Sequence, residues 1–459
     1  MLKRFLYFVF LLLGLNVFAY GNIPERKDAW SGSGEEKWLE NWPVPESLFA
    51  ELRQVLAGLP HNAPTALILE EDKVAAKGQR LADRSHRLPR AGGTLGVQRE
   101  AKTRGSLNEF IYRTIPILGA EVTQPIFHWG ALKARSEMGD LRVEAAQYHY
   151  EGSMRGLVLE VRRRYLDILI QRARLALLEQ NCEIAEKNYK REQNRYQLGE
   201  SARLNLDESL VVLNEVKSRK IALLKELQSQ EYYFRNIAGW EGPIQGELPF
   251  DWEMPERFNE LVADEFLVAN QVHPGERFYA LEREGKLEKL NYKVINARLL
   301  PIFNARGGVY ESLLESPDST TTQNETNFFV GLNVEWRVFD GFETKGMKLA
   351  SKARSRRLSR EAKWELERRE LEVQSLVERI GLSLESVELL ESRLNISDAV
   401  LTRKHHEYVD LRITSTDYLS AKLSRDDSRI NLLEARVNLL YDSSVLLSYV
   451  GRDPALLLL

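Results

Sequence analysis

The sequence has little cysteine, little net charge and no long hydrophobic run beyond its first residues. Among 459 residues Cys182 is the only cysteine, which excludes an intrachain disulfide and a lipid attached directly after an N-terminal signal. The formal net charge of -3 gives no electrostatic reason to expect a nucleic-acid partner. No later stretch reaches roughly 18 apolar residues, so no transmembrane helix is predicted for the mature chain.

Proline is also missing from two long regions, from Ala131 to Gly239 and from Glu343 to Arg452. Leu, Glu, Arg, Ala and Lys dominate the chain, a composition typical of long helices. From Leu157 to Tyr189 apolar residues recur at a mean step of about 3.6, which predicts one apolar stripe on a helix. A helix from Ala131 to Tyr196 would span about 100 Å, so we expect a coiled coil or a wall of packed helices.

The chain begins with an apolar run that is too short for a comfortable membrane span. Lys3 and Arg4 precede this run, and Val17-Phe18-Ala19 is similar to the small-residue end of a cleavable signal peptide. Residues 1–19 are therefore predicted to be a signal peptide. A short membrane anchor is the alternative.

A repeat with an offset of 212 residues organises the rest of the chain. Tyr196 and Tyr408 are separated by this distance, and short matches with the same offset run through both halves. The single offset of 212 residues aligns all of these matches, which indicates a duplicated unit at 64–239 and again at 274–451.

Each repeat is predicted to contain a helix, a strand pair and a long helical hairpin. A proline stands at the start of each first helix, and a Leu-Pro pair ends it. The strand pairs and hairpins are predicted at 90–127 with 131–239, and at 302–339 with 343–451. Residues 240–273 connect the repeats, and residues 452–459 form a tail.

The clearest strand signal is the alternation in FVGLNVEWRVF. One face holds Val330, Leu332, Val334, Trp336 and Val338, and the other holds Gly331, Asn333, Glu335 and Arg337. In the first repeat Leu118, Ala120, Val122 and Ile126 oppose Gly119, Glu121 and Thr123. Period two predicts strands with one apolar and one polar face. Because four strands cannot close a barrel, strands in a membrane would have to combine between chains.

Each hairpin is interrupted by a short tip, YQLGESARLNLDES from Tyr196 and YVDLRITSTDYLSA from Tyr408. Gly199 can adopt the left-handed conformation that ends a helix. Asn205 and Asp417 are predicted to stand where the returning helix starts, since short oxygen-bearing side chains are favoured there.

This duplicated order resembles the TolC-type outer-membrane efflux protein family over roughly residues 47–453. The first tip matches the family's Tyr, Gly and acidic positions with Tyr196, Gly199 and Asn205. The second tip matches the Tyr, small-hydroxyl and Asp positions with Tyr408, Thr414 and Asp417. Leu411 replaces the usual glycine, which leaves open how this tip closes. QPIFHWG and WRVFDGF resemble the family's strand-to-helix junctions.

The resemblance implies a mainly α fold with a small β part. Long α-helical hairpins of three chains would form an α-barrel, and four strands per chain would contribute to a trimeric transmembrane β-barrel in outer-membrane lipid. Under this interpretation residues 20–63 are an N-terminal periplasmic segment, and residues 240–273 are an equatorial connector.

The function implied is a passive exit duct of a tripartite efflux or type I secretion system. Its partners would be a periplasmic adaptor protein and an inner-membrane pump. No nucleophile–base arrangement or metalloprotease motif is recognisable, so we expect neither an enzyme nor a cofactor or metal. Two hairpins at one offset favour the duct over the alternative, a periplasmic coiled-coil adaptor.

The resemblance also implies two groups of site residues. A gate at the periplasmic mouth would be formed by Tyr408, Asp410, Arg412, Asp417, Tyr196 and Asn205; ordinary capping and solvated turn charge is the alternative. A membrane-interface girdle would be formed by Phe127, Trp129, Trp336 and Phe339, with core packing as the alternative.

Overall fold

The computed structural model describes residues 44–104, 109–253, 272–315, 322–410, 412–451 and 453–457. The predicted signal peptide lies outside these ranges, as do residues 20–43 of the N-terminal segment, residues 254–271 of the connector and Leu411. Among the described residues, none of the helices is both long and apolar enough to cross a membrane.

Helices dominate the described part of the chain, and four strands interrupt them. The first repeat and the segment before it contain α1 (Pro45–Leu48), α2 (Ala50–Asn62), α3 (Pro64–Ser85), β1 (Arg90–Arg104), β2 (Glu109–Phe127), α4 (Ala131–Gln197) and α5 (Arg203–Ala238). The second repeat contains α6 (Glu276–Asn296), β3 (Ile302–Glu315), β4 (Thr322–Glu335), α7 (Glu343–Val409) and α8 (Ser415–Val450).

The predicted internal repeat is confirmed by the lengths of the helices. The outgoing helices α4 and α7 both have 67 residues, and the returning helices α5 and α8 both have 36. Gly239 and Gly451 end the returning helices with φ of 62° and 79°. These left-handed values are the ones that glycine adopts without steric cost.

The described residues form two compact units. One unit contains residues 73–147 and 280–362, and with them the whole sheet. The other contains residues 44–72, 148–279 and 363–457 apart from the gaps named above, and with them α5, α8 and the larger part of α4 and α7.

The sheet is antiparallel throughout, in the order β1-β2-β3-β4, so β1 and β4 are its outer strands. Residues that are directly opposite each other across antiparallel strands lie on the same face. The register therefore assembles one apolar face from Leu95, Val97, Leu118, Val309, Phe328, Val330, Leu332 and Val334. Within the single chain this face is open, with Val330 81% exposed and Leu332 76% exposed.

The opposite face is polar and rich in glycine. It carries Glu121, Thr123, Asn304, Arg306, Asn333, Glu335, Gly92, Gly119, Gly308 and Gly331, and with them the apolar side chains of Ile115, Ile117, Tyr310 and Phe329. Trp336 and Val338, which were predicted on the apolar face of the strand, lie beyond β4, which ends at Glu335. The predicted alternation is confirmed from Val330 to Glu335 in β4 and from Leu118 to Thr123 in β2. It is wrong at Ile126, because a bulge between Pro125 and Phe127 makes Phe127 the Cα partner of Phe303.

The main core lies around the middle of α4, where Val158, Val161 and Leu169 are fully buried. Arg162 is also fully buried there. Its guanidinium donates to Asp453 at 2.8 and 2.6 Å, and to Glu46 with a contact of 3.0 Å from Nε. Burial alone would lower the pKa of Arg162, but the two carboxylates outweigh it and raise that pKa.

A second contact fixes the same region. Tyr165, one turn after Arg162, donates its hydroxyl to Glu51 at 2.9 Å. Glu51 also accepts the backbone N–H groups of Gln245 and Gly246 at 2.9 Å. The segment before the first repeat, the start of the connector and the C-terminal tail are thus all attached to one part of α4.

We predict that Arg162→Met destabilises this region strongly. The change leaves Glu46 and Asp453 buried without their counter-charge, and breaking a buried ion pair in this way costs about 3–5 kcal/mol. Thermal unfolding should start earlier, and limited proteolysis should cut within residues 44–62 that resist cleavage in the parent.

Arg164→Met is the matched control on the same helix. Arg164 is partly exposed and pairs with Glu160 at 2.9 Å within one turn of α4. Exposed pairs of this kind contribute about 0.2–1 kcal/mol. Equal stability of the Arg162 and Arg164 variants would show that the buried cluster does not hold the segment in place.

Candidate functional site

The two hairpin tips are closed by the same backbone hydrogen bond. In the first tip the N–H of Glu200 donates to the carbonyl of Arg195 at 2.8 Å. In the second, the N–H of Arg412 donates to the carbonyl of Glu407 at 2.8 Å, and both residues lie 212 positions later. Gly199 has φ of 74°, as predicted for the residue that ends the helix. Leu411 lies outside the described residues, but the bond around it is preserved.

The returning helices start three residues earlier than Asn205 and Asp417 indicate. The residues before the first turns are Ala202 and Thr414, so the predicted start positions are wrong. Asp417 is instead the third helical residue, and it forms a capping box with Thr414. Thr414 accepts from the Asp417 N–H at 3.1 Å and donates its own N–H to that carboxylate at 3.2 Å. The spacing Thr-x-x-Asp is a sequence signal for this motif.

The first tip is organised differently. Asn205 donates to the hydroxyl of Ser201 at 3.3 Å. Ser201 donates in turn to Glu192 at 3.0 Å, and Glu192 is buried although it lies near the helix end. Arg195 also contacts Glu192 at 3.0 Å. A buried carboxylate therefore holds this tip, and the candidate Tyr196 remains partly exposed beside it.

Tyr408 lies in a stack of side chains that connects three helices. The guanidinium of Arg191 on α4 donates to its hydroxyl and also lies 5.9 Å from its ring centroid. The ring stacks on Tyr418 of α8 at 5.2 Å with an angle of 10°. The ring of His405 also contacts the ring of Tyr418, with centroids 5.5 Å apart. Among the described residues, Tyr408 and Asn205 of one chain do not bond to each other.

Asp410 and Arg412 form a weak pair at the very end of the second tip. Their charged atoms are 3.7 Å apart, and both side chains are largely exposed. Pairs of this kind contribute little to stability in water. Their charges are therefore available to ions or to another surface.

The strand-to-helix junctions repeat a left-handed turn of two residues. Trp129 and Gly130 have φ of 52° and 80°, and Gly341 and Phe342, 212 positions later, have φ of 62° and 70°. Each repeat thus uses one glycine and one aromatic residue, in opposite order. Such backbone costs of order 1–3 kcal/mol at a residue other than glycine, and aromatic contacts at each turn offset part of it.

The aromatic candidates cluster at these turns and are exposed. Phe127 contacts Trp129 at 5.0 Å and Phe303 at 6.2 Å, whereas Phe339 contacts Phe342 at 5.6 Å. The indole N–H groups of Trp129 and Trp336 donate to the carbonyls of Pro301 and Leu299 at 2.8 and 3.1 Å. Trp336 is 61% exposed and Phe339 is 70% exposed, values that fit a ring at an interface better than a core.

Sequence reasoning missed several residues that the fold brings to these sites. Phe303 and Phe342 join the aromatic clusters, and Arg191 and Tyr418 contact Tyr408. The 212-residue offset could have identified Phe342, because it matches the pair Gly341-Phe342 with the pair Trp129-Gly130 at the other junction. Arg191 had no local signal, because it lies 217 residues from Tyr408 in the chain.

No cluster of three or more His, Cys, Asp or Glu side chains within the described ranges could hold a metal ion. The rings of His405 and His406 have centroids 6.3 Å apart and point in different directions. The acids at the tips are used in hydrogen bonds and ion pairs.

Comparison with known proteins gives a family match and a common fold. Residues 70–239 match the family model described as outer membrane efflux protein. No curated protein sequence matches the chain.

Solved structures match nearly the whole chain. The Campylobacter jejuni CmeC outer membrane channel has a TM-score of 0.74 at 12% identity, with 90% of this chain and 89% of that chain covered. The outer membrane protein VceC of Vibrio cholerae has a TM-score of 0.70 at 13% identity, with 89% and 99% covered. A membrane protein of Pseudomonas aeruginosa has a TM-score of 0.70 at 17% identity, with 89% and 96% covered. The predicted resemblance and the predicted fold class are confirmed.

We predict that the contribution of Asp417 to the second tip depends on pH. The hydroxyl and the backbone N–H of Thr414 lower the pKa of Asp417 below its ordinary value. Its stabilising effect is therefore complete above the unfolded pKa of about 3.9 and is lost as pH falls through the lower folded value.

Hydrogen-exchange protection of the first turn of α8 tests this, with the parent compared with Asp417→Asn. The difference should be largest near neutral pH and should vanish in acid. Asp207→Asn is the control, because Asp207 makes only an exposed contact of 3.7 Å with Arg203. A difference that stays constant with pH would contradict the prediction.

Proposed function

We propose that this chain, whose first repeat matches the outer membrane efflux protein family model, is one subunit of an outer-membrane exit duct. The observation that carries the proposal is the sheet. It has one exposed apolar face and one polar face, and in the described residues its outer strands β1 and β4 pair only on their inner sides. Such a sheet fits a wall between lipid and water, but it is incomplete in a single chain.

Closure of the wall requires other copies of the chain. In lipid every backbone polar group needs a partner, so the outer edges of β1 and β4 would have to pair with neighbouring copies. Barrels need about eight strands or more, which one chain with four strands does not supply. We propose a homotrimer, the number that the family resemblance implies.

The aromatic clusters support an orientation for this wall. Phe127, Trp129, Trp336 and Phe339 lie where the strands end and the long helices begin, and they are exposed. Aromatic girdles occupy this position at the inner interface of outer-membrane barrels. The hairpins would then extend into the periplasm, and a cleaved signal peptide at residues 1–19 would direct export.

The duct would be passive, with the tips as its control point. Solutes would be driven by an inner-membrane pump that is joined through a periplasmic adaptor protein. The Tyr408 contacts with Arg191 and Tyr418 would bias the two hairpins towards a closed mouth, and the exposed Asp410 and Arg412 would face a partner. The alternative, an adaptor, is not favoured because the described sheet has an open apolar face of membrane type.

The first test is assembly and conductance. We expect the mature protein in the outer-membrane fraction, and light scattering in mild detergent should report a stable trimer. The purified protein should produce discrete conductance steps in a planar lipid bilayer. A protein that remains monomeric and conducts nothing would refute the exit duct.

A pair of adjacent substitutions tests which face meets lipid. Val334→Arg places a charge on the apolar face, which costs about 2–4 kcal/mol near the bilayer midplane and less near an interface. Asn333→Arg places the same side chain on the polar face and is the matched control. Impaired insertion is expected for Val334→Arg alone, and the reverse result would exchange the two faces.

The gate is tested by Tyr408→Phe. The phenylalanine keeps the stack on Tyr418 but removes the oxygen that accepts from Arg191. A hydrogen bond from a charged donor contributes about 1.5–3 kcal/mol net, so three symmetric copies would bias the mouth by several kcal/mol. Single-channel conductance or open probability should rise.

Tyr232→Phe on α5 is the control, since Tyr232 is 71% exposed and lies outside the tip. If Tyr408→Phe conducts like the parent and like this control, the gate is not at Tyr408.

A further inference from the structure

The polar face of the sheet carries two large rings that alternation alone does not explain. Tyr310 and Phe329 lie on this face, because their Cα partners are Gly119 and Gly308. Their ring centroids are 6.2 Å apart at an angle of 51°. Phe329 is 37% exposed and Tyr310 is 47% exposed. An apolar ring exposed on a polar, water-facing wall is available to contact a solute.

Glycines leave space around these rings. A Cβ atom added to Gly308 would lie only 2.9 Å from the Phe329 ring, so that ring lies directly over Gly308. A Cβ added to Gly92 or Gly331 would meet nothing within 4 Å. Neither glycine has the positive φ that would require glycine for the backbone. The polar face is therefore open above Gly331, which follows Phe329 on the same face of β4, and above Gly92, which is the Cα partner of Glu121.

An ion pair lies on the same face, next to Gly92 and Gly331. Arg306 donates to both carboxylate oxygens of Glu121 at 2.6 and 2.8 Å. Glu121 is the Cα partner of Gly308, and Gly308 is the Cα partner of Phe329. With strands about 4.8 Å apart, the ion pair and the Phe329 ring are roughly 10 Å from each other across the sheet. One small molecule can contact both.

We propose that Phe329, Tyr310 and the Arg306–Glu121 pair form a solute-binding site inside the barrel for uncharged or zwitterionic molecules that contain an aromatic ring. The ring of the solute stacks against Phe329 and Tyr310, and its polar groups bond to the ion pair. Because the carboxylate balances the guanidinium, the site favours neither sign of net charge. This inference rests on the proposed duct, in which the polar face lines the lumen.

Weak binding suits such a position. Aromatic contacts contribute about 0.5–1.5 kcal/mol beyond their burial, which corresponds to roughly a 2- to 13-fold change in occupancy. A solute in a conduit must bind strongly enough to enter and weakly enough to leave. The site would retard aromatic solutes selectively without trapping them.

The test is current block in single channels of the full-length protein in a planar bilayer. Free tryptophan is the aromatic zwitterionic probe, and free leucine is the aliphatic zwitterion of comparison. Tryptophan should reduce the current at lower concentration than leucine. Phe329→Leu should weaken the tryptophan block by about 2- to 10-fold and leave the leucine block unchanged.

Phe328→Leu is the matched control, because Phe328 is the neighbouring residue on the apolar face and is 67% exposed. It should conduct and be blocked like the parent. Tyr310→Leu provides a second variant if Phe329→Leu does not insert, with the same expected loss of aromatic selectivity.

The outcomes separate the two proposals. Conducting channels that tryptophan and leucine block equally, or a tryptophan block unchanged in both ring variants, would overturn the binding site and leave the duct intact. An equal effect of Phe328→Leu would overturn the assignment of the rings to the lumen. A parent protein that does not conduct would refute the duct, and this site with it.

Discussion

The outer edges of a four-stranded antiparallel sheet are the constraint on which the rest of this structure depends. β1 and β4 end the sheet on either side, and one of its faces is covered with exposed Val, Leu and Phe side chains. A protein in water avoids such edges and faces because they associate with other chains. Pairing edge to edge with identical copies in lipid satisfies both at once. The proposed assembly of several chains around a lumen follows from this requirement, whereas the number three comes from the family resemblance.

The duplication gives both repeats the same helices and tip turns. The side chains that stabilise the tips and the core differ between the two copies. The tips share the same closing hydrogen bond, yet Glu192 holds the first and a Thr414–Asp417 capping box holds the second. Arg162 in the first copy is buried against two carboxylates, whereas Gln374 at the matching position of the second copy is exposed. The buried ion cluster with Glu46 and Asp453 is therefore a feature of the first copy of the long helix.

The contacts at the tips are weak, and they join residues that are far apart in the sequence. Arg191 and Tyr408 are far apart in sequence, and their contact joins the outgoing helices of the two hairpins. A single exposed hydrogen bond and a stack of rings contribute little each, so they can separate at a small cost in free energy. The buried cluster at Arg162 is the opposite case, since separating its charges carries a large penalty. The chain thus has weak contacts at the hairpin tips and strong ones around Arg162.

Local patterns in the sequence determined the helices, the strand faces, the tips and their repetition. These patterns are the period of two residues from Val330 to Val338, the absence of proline from the long helices, and Gly199. Each is local in the chain, so each can be recognised from the sequence alone. The spacing Thr414-x-x-Asp417 is also a local signal for the capping box, although Asp417 is the third residue of α8 and not its predicted start. Tertiary structure alone decided the bulge at Ile126, the contact of Arg191 with Tyr408 and the partners of Arg162. The reason is distance along the chain: Asp453 is 291 residues from Arg162, and no local pattern specifies which distant side chains meet.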